Sequence, residues 1–218
     1  MSQSVYWAGD STVKSNNFTT YPQTGMGQAM GLYFKEAITI HNYAENGRSS
    51  LSFIDEGSLA TIYNKIGKDD FLFIQFGHND AKVEDPKRFT EPFGSYQVNL
   101  EKFINVARNR GAHPILITPV CRRWFLEDGT LDEDIHGDYP EAMIDLANRL
   151  EVPVINLYAT SREMIRSMGP INSKAYFVTT DNTHLVYPGA VSFAGFIAKG
   201  LKKLGGIYSQ LLIHPEMI

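Results

Sequence analysis

One cysteine in 218 residues is too few for an internal disulfide or a cysteine-rich zinc site. Cys121 therefore reads as a small buried thiol, which fits a reducing compartment. A long apolar run is also missing. The least charged stretch near the end, residues 185–198, is interrupted by Pro188 and two glycines and is shorter than the roughly 20 residues that a membrane-spanning helix needs. Basic clusters are absent as well: 20 Lys+Arg stand against 24 Asp+Glu, a net charge of −4, with no run that could track a phosphate backbone. Neither nucleic acid nor a membrane is expected as a partner. The amino terminus, MSQSVYWAGDS, has no basic segment followed by an apolar one, unlike a secretion signal. A cytoplasmic location is the expectation, with a trimmed secreted form left open.

What is present is a globular composition. Hydrophobic residues make up 43% and charged residues 20%, with Gly 18 and Pro 10, which excludes disordered and collagen-like classes. At this length about 70% of the unfolded surface can be buried. No repeat or linker divides the chain, so one domain over residues 1–218 is expected. Short β-branched and aromatic runs predict strands at 4–8, 38–44, 71–76, 114–119 and 152–157. Apolar residues at i, i+3, i+4 spacing predict helices at 27–37, 50–66, 96–110, 140–150 and 158–168, and Pro188 opens a last one to 204. This alternation predicts an α/β fold: a three-layer α/β/α sandwich around a central five-stranded parallel sheet. FLFIQF (71–76) and ILIT (115–118) are apolar almost throughout, as strands covered on both faces should be. The polar segments after the first, third and fourth strands leave the carboxyl ends of the sheet, where open α/β sheets bind ligands.

The chemistry-bearing residues gather at that edge. Gly9-Asp10-Ser11-Thr12 follows the first strand; a serine there can face a cleft as a nucleophile, or cap a helix. Asp181-Asn182-Thr183-His184 precedes the last helix. Its spacing lets one loop supply a histidine base and the carboxylate that orients it, while a loop ion pair is the plainer alternative. Asn46-Gly47-Arg48-Ser49 and Gly77-His78-Asn79-Asp80 follow the second and third strands. The amides of Ser11 and Gly47 and the Asn79 side chain are candidate donors to an oxyanion. Asp10 and Asp80 read as acceptors that brace loops, His78 as a brace for the Asn79 loop, and Ser49 as a helix N-cap.

These four blocks, in this order and at these separations, resemble those of the SGNH (GDSL-like) hydrolase superfamily, and they span most of the chain. The resemblance implies a flavodoxin-like SGNH hydrolase fold and no cofactor. It also implies a nucleophile at Ser11, a triad completed by Asp181 and His184, and an oxyanion hole from Ser11, Gly47 and Asn79. Thr12, Gly47-Arg48-Ser49, His78 and the segments 118–123 and 136–140 are similar to the rhamnogalacturonan acetylesterase branch, carbohydrate esterase family 12. That branch implies deacetylation of plant cell-wall polysaccharide fragments, with xylan or small acetylated sugars, or a longer-chain lipase, thioesterase or acyltransferase activity, as alternatives. A catalytically dead sugar-binding module is the non-enzyme alternative, and Ser11, Asn79, Asp181 and His184 together argue against it. Arg122 and Arg123 are candidates to hold a galacturonate carboxylate, and Trp124 to stack on a sugar face.

Other signals fail on spacing. Residues 25–31 miss a dinucleotide fingerprint by one position. The segment Asp132 to Gly137 approaches a calcium loop, but His136 occupies a ligand place and Met143 stands where the bidentate Glu belongs. No metal is expected.

Overall fold

The computed structural model describes residues 3–132 and 135–217. In chain order it has β1 (Ser4–Gly9), α1 (Met26–Ala29), β2 (Thr39–Asn42), α2 (Ser50–Asp55), α3 (Ser58–Lys65), β3 (Phe71–Gln75) and α4 (Gln97–Asn109). There follow β4 (His113–Ile117), α5 (Tyr139–Arg149), β5 (Val154–Ile155), α6 (Leu157–Asn172), α7 (Tyr187–Leu204) and α8 (Gly206–Ser209). All four strand pairs are parallel and the sheet order is β2-β1-β3-β4-β5. The expected three-layer architecture with five parallel strands is what the chain adopts.

Alternate residues of each central strand feed two separate cores. Val5, Trp7, Phe71, Phe73, Ile115 and Ile117 point into the layer that holds α1 and α7. Tyr6, Ala8, Leu72, Ile74 and Leu116 point into the layer of α3, α4 and α5. This is the period of two of a pleated strand, with both faces covered. In the second core, Phe103 packs 5.2 Å from Phe76 and 5.7 Å from Phe53, centroid to centroid, which ties α4 and α2 to the end of β3.

Several elements are shorter or more broken than their periodicity predicts. The expected helix 27–37 is one α-turn followed by a 3-10 turn, Met30–Leu32. Its apolar pattern continues past that point because Phe34 forms an antiparallel bridge with Leu212 instead. The helix expected over 50–66 divides at Gly57, whose φ of +81° breaks the α-helical path. Strand β5 has two paired residues, since Asn156 leaves the ladder to cap α6 by accepting from Ala159 N. Two helices begin where expected: Ser49 and Ser52 form a capping box at α2, and Pro188 sits in the first turn of α7.

The strand order places a reversal between β2 and β3, on either side of β1. Such a switch point opens a crevice at the carboxyl ends of β1 and β3, and Gly9 at the end of β1 is in register with Gln75 at the end of β3. Phe103→Ala is expected to lower unfolding free energy by about 3–5 kcal/mol, because it empties a fully buried aromatic site; the denaturant midpoint measures it.

Candidate active site

Ser11 follows β1 in a tight turn in which Val13 N and Lys14 N both donate to Asp10 O. The Asp10 side chain fixes this turn: its Oδ1 accepts from Thr12 N at 2.9 Å and Thr12 Oγ1 at 2.7 Å. Its Oδ2 is hydrogen-bonded to His78 Nδ1 at 2.9 Å. The other His78 nitrogen, Nε2, donates to Val120 O at 3.0 Å. One buried imidazole thus joins the loops after β1, β3 and β4. Burial alone pushes the Asp10 carboxyl up, but the interaction with His78 and the hydrogen bonds from Thr12 outweigh it and hold it below its ordinary 3.8.

The segment after α6 supplies the partners of Ser11. Val178 N donates to His184 O, and Phe177 bridges Leu185, so residues 179–183 form a closed loop. Within it, Asp181 Oδ1 accepts from Thr183 N and His184 N, each at 2.7 Å. Asp181 Oδ2 lies 2.8 Å from His184 Nδ1, and His184 Nε2 lies 2.9 Å from Ser11 Oγ. The carboxylate accepts, so Nδ1 carries the proton and the Nε2 lone pair faces the Ser11 hydroxyl. Burial raises Asp181, yet hydrogen bonds from the His184 amide and ring and from Thr183 N bring it below the usual carboxylate value.

Beside this chain of contacts stand three N–H groups. Among the described residues, neither Ser11 N nor Gly47 N donates to a protein acceptor. Gly47 has φ +76°, which L side chains rarely adopt. Asn79 Nδ2 donates one hydrogen to Arg48 O at 3.0 Å, which orients the amide and leaves its second hydrogen unused. Asp80, fully buried, accepts from Gly77 N, Ser50 N, Ser50 Oγ and Thr90 Oγ1. Burial is the largest influence on it and raises it to about 6 against those hydrogen bonds.

Two contributors carry no motif that sequence reasoning could have used. Gln23 Nε2 reaches Ser11 O at 3.3 Å and Asn46 Oδ1 at 3.4 Å, tying the Ser11 turn to the Gly47 turn. Arg88, anchored by Asp85 at 2.6 Å, places Nη1 3.5 Å from Asn79 Oδ1, beside Gly47. Their only sequence signal is position in the loops after β1 and β3.

The three candidate substrate residues fare differently. Arg122 turns inward: Nη2 donates to His78 O, its backbone N donates to His136 Nε2, and burial lowers its guanidinium from the ordinary value. Its expected place as an open clamp is thus taken by a protein carbonyl, because the loop folds back over His78. Arg123 holds Asn182, donating N to its carbonyl and Nη1 to its Oδ1, and lies over the Phe125 ring. Trp124 is 47% exposed. Burial, His78 and Arg122 together keep His136 well below its ordinary pKa, consistent with an Nε2 that accepts. Glu133 and Asp134 of the calcium-like segment lie outside the described residues.

The family model of the GDSL-like lipase/acylhydrolases matches residues 5–186. The chain belongs to that family. Among GDSL-like relatives, rhamnogalacturonan acetylesterase RhgT of Bacillus subtilis (strain 168) is 40% identical over 225 residues, 97% of this chain and 95% of that protein. The probable rhamnogalacturonan acetylesterase YesY of the same strain is 41% identical over 220 residues, 99% and 100% of the two chains. The solved structure of Bacillus subtilis protein YXIM superposes with a TM-score of 0.84 at 25% identity, covering 94% of this chain and 57% of that one.

The depressed pKa of Asp10 sets an acid limit on this GDSL-like fold. A group lowered on folding contributes stability above its unfolded value, and that contribution fades as pH falls through the folded value. Asp10→Asn is expected to lose about 2–3 kcal/mol near pH 7 and to flatten the decline of stability below about pH 4; unfolding free energy measured from pH 2 to 7 tests both.

Proposed function

We propose that this chain is a cofactor-independent serine esterase that removes acetyl groups from rhamnogalacturonan fragments. The observation that carries the reading is the continuous contact from Asp181 through His184 to Ser11 Oγ beside three unused N–H donors. The names of RhgT and YesY support the substrate.

In this reading His184 Nε2 takes the Ser11 proton as Oγ attacks the acetyl carbonyl, and Asp181 stabilises the imidazolium that forms. The tetrahedral oxyanion accepts from Ser11 N, Gly47 N and Asn79 Nδ2, groups already positioned before charge develops. His184 then protonates the departing sugar oxygen. Water, deprotonated by the same histidine, attacks the acetyl-serine and releases acetate. Trp124 and Arg123 flank the substrate side of the cleft, while Arg122 acts from behind through His78 O.

Ser11→Ala is expected to abolish nearly all turnover of p-nitrophenyl acetate while leaving thermal unfolding close to that of the parent, since the hydroxyl makes little contribution to the core. Asn79→Ala should lower kcat by about 10²- to 10³-fold with little change in KM. A change confined to KM would move Asn79 to substrate binding. A panel of p-nitrophenyl esters of two to twelve carbons separates an acetylesterase, with its rate falling steeply beyond acetate, from a long-chain lipase or thioesterase.

A further inference from the structure

The loop between β1 and α1 presents two bare aromatic rings. Phe18 is 97% exposed and Tyr21 is 80% exposed. This exposure is built. Asn17 caps the 3-10 turn Phe18–Thr20 by accepting from Thr19 N at 2.9 Å, Thr20 Oγ1 donates to Asn16 Oδ1 at 3.0 Å, and Gln23 N donates to Thr20 O at 2.8 Å. Phe18 opens this turn and Tyr21 is its C-cap, where ψ of 137° ends the helical path, so both rings stand on one short, hydrogen-bonded segment, three positions apart.

The next residues anchor this turn to the reaction centre. Gln23 Nε2 donates to Ser11 O, and Thr24 N donates at 2.8 Å to the carbonyl of Leu185, the residue after His184. Two residues span at most about 7 Å, so Tyr21 is tethered close to the point where Gln23 meets the Ser11 turn. On the other side, Arg123 N donates to Asn182 O at 2.7 Å and brings Trp124 to the Asp181 loop. Two loops that are hydrogen-bonded to the Ser11 turn and the Asp181 loop thus carry exposed aromatic residues.

The chemistry of the turn says what it holds. Residues 15–25 read SNNFTTYPQTG, with no charged side chain. Amides, hydroxyls and flat apolar rings match the two faces of a sugar, whose C–H groups stack on a ring while its hydroxyls take hydrogen bonds. An anionic lipid surface would call for cations, and a long acyl chain for a concave apolar groove; a protruding uncharged turn provides neither.

We propose that Phe18 and Tyr21 form a stacking platform for the sugar residues of the polysaccharide that flank the acetylated one. This rests on the carbohydrate reading of Ser11 above. The platform acts on binding of the chain and not on acyl transfer.

The test compares the parent protein with Phe18→Ala and with the Phe18→Ala, Tyr21→Ala double variant, on acetylated rhamnogalacturonan oligosaccharides of graded length, acetylated xylo-oligosaccharides and p-nitrophenyl acetate. The parent's kcat/KM should rise with chain length. Two stacking contacts, each a few-fold, should make the double variant lose about tenfold on the longest substrate, mainly through KM and without dependence on salt. Phe18→Ala should lose a smaller share, Phe18→Tyr should restore it, and p-nitrophenyl acetate turnover should be unchanged. Equal losses on p-nitrophenyl acetate, or a parental KM on the longest oligosaccharide, would overturn the platform. A parent that deacetylates short fragments with no gain from length also overturns it while leaving the esterase reading intact. A platform-dependent gain with length on xylan alone would support the platform and remove the pectic assignment.

Discussion

Asp10 must find every hydrogen-bond donor inside the protein, because none of its surface reaches water. A buried carboxylate left without donors would cost several kcal/mol. Thr12 and His78 therefore have to be where they are, and each fixes a different piece of chain. Thr12 closes the turn that presents Ser11. His78 carries the constraint across the sheet edge to Val120 O, while its own carbonyl receives Arg122. The positions of three loops follow from one acceptor.

Asp80 organises the neighbouring side in the same manner. Ser50 at the start of α2, Gly77 at the end of β3 and Thr90 in the following loop all donate to it, and Tyr139 at the start of α5 donates to its carbonyl. Its raised pKa, about 6, contrasts with the lowered one of Asp10. The difference follows from the partners: Asp10 has an imidazole, whereas Asp80 has only hydroxyls and amides and is pushed further by Asp10. These carboxylates hold the loops, and Asp181, partly open to solvent, is the one that reaches the Ser11 hydroxyl through His184.

The sheet was legible because its central strands are apolar on both faces, a pattern that few other structures tolerate. FLFIQ needs no tertiary information to be placed in the middle. The edges were harder. Strand β5 loses residues to the cap at Asn156, and the helix expected after Gly27 yields to the bridge between Phe34 and Leu212, 178 positions apart in sequence. Within the site, short blocks after strand ends pointed to Ser11, Gly47 and Asn79, and the block before the last helix to Asp181 and His184; the fold brings His184 Nε2 to 2.9 Å from Ser11 Oγ. Gln23 and Arg88 were invisible because their roles depend on where two irregular loops cross. The inward turn of Arg122 was equally hidden: nothing local distinguishes an arginine on a carbonyl from one facing solvent.

The alternation that sends Phe71 and Phe73 to one core and Leu72 and Ile74 to the other also fixes how Ser11 and Asn79 line up across the sheet edge. Sliding β3 by one residue against β1 would exchange the two sets of side chains between layers of different shape. It would also move Asn79 by about 3.3 Å along the strand direction, more than the length of a hydrogen bond, relative to Ser11. Side-chain volumes deep in the sheet thus act as a ruler for the crevice above it, so that any packing error large enough to shift the ruler is penalised long before it can misplace the donors.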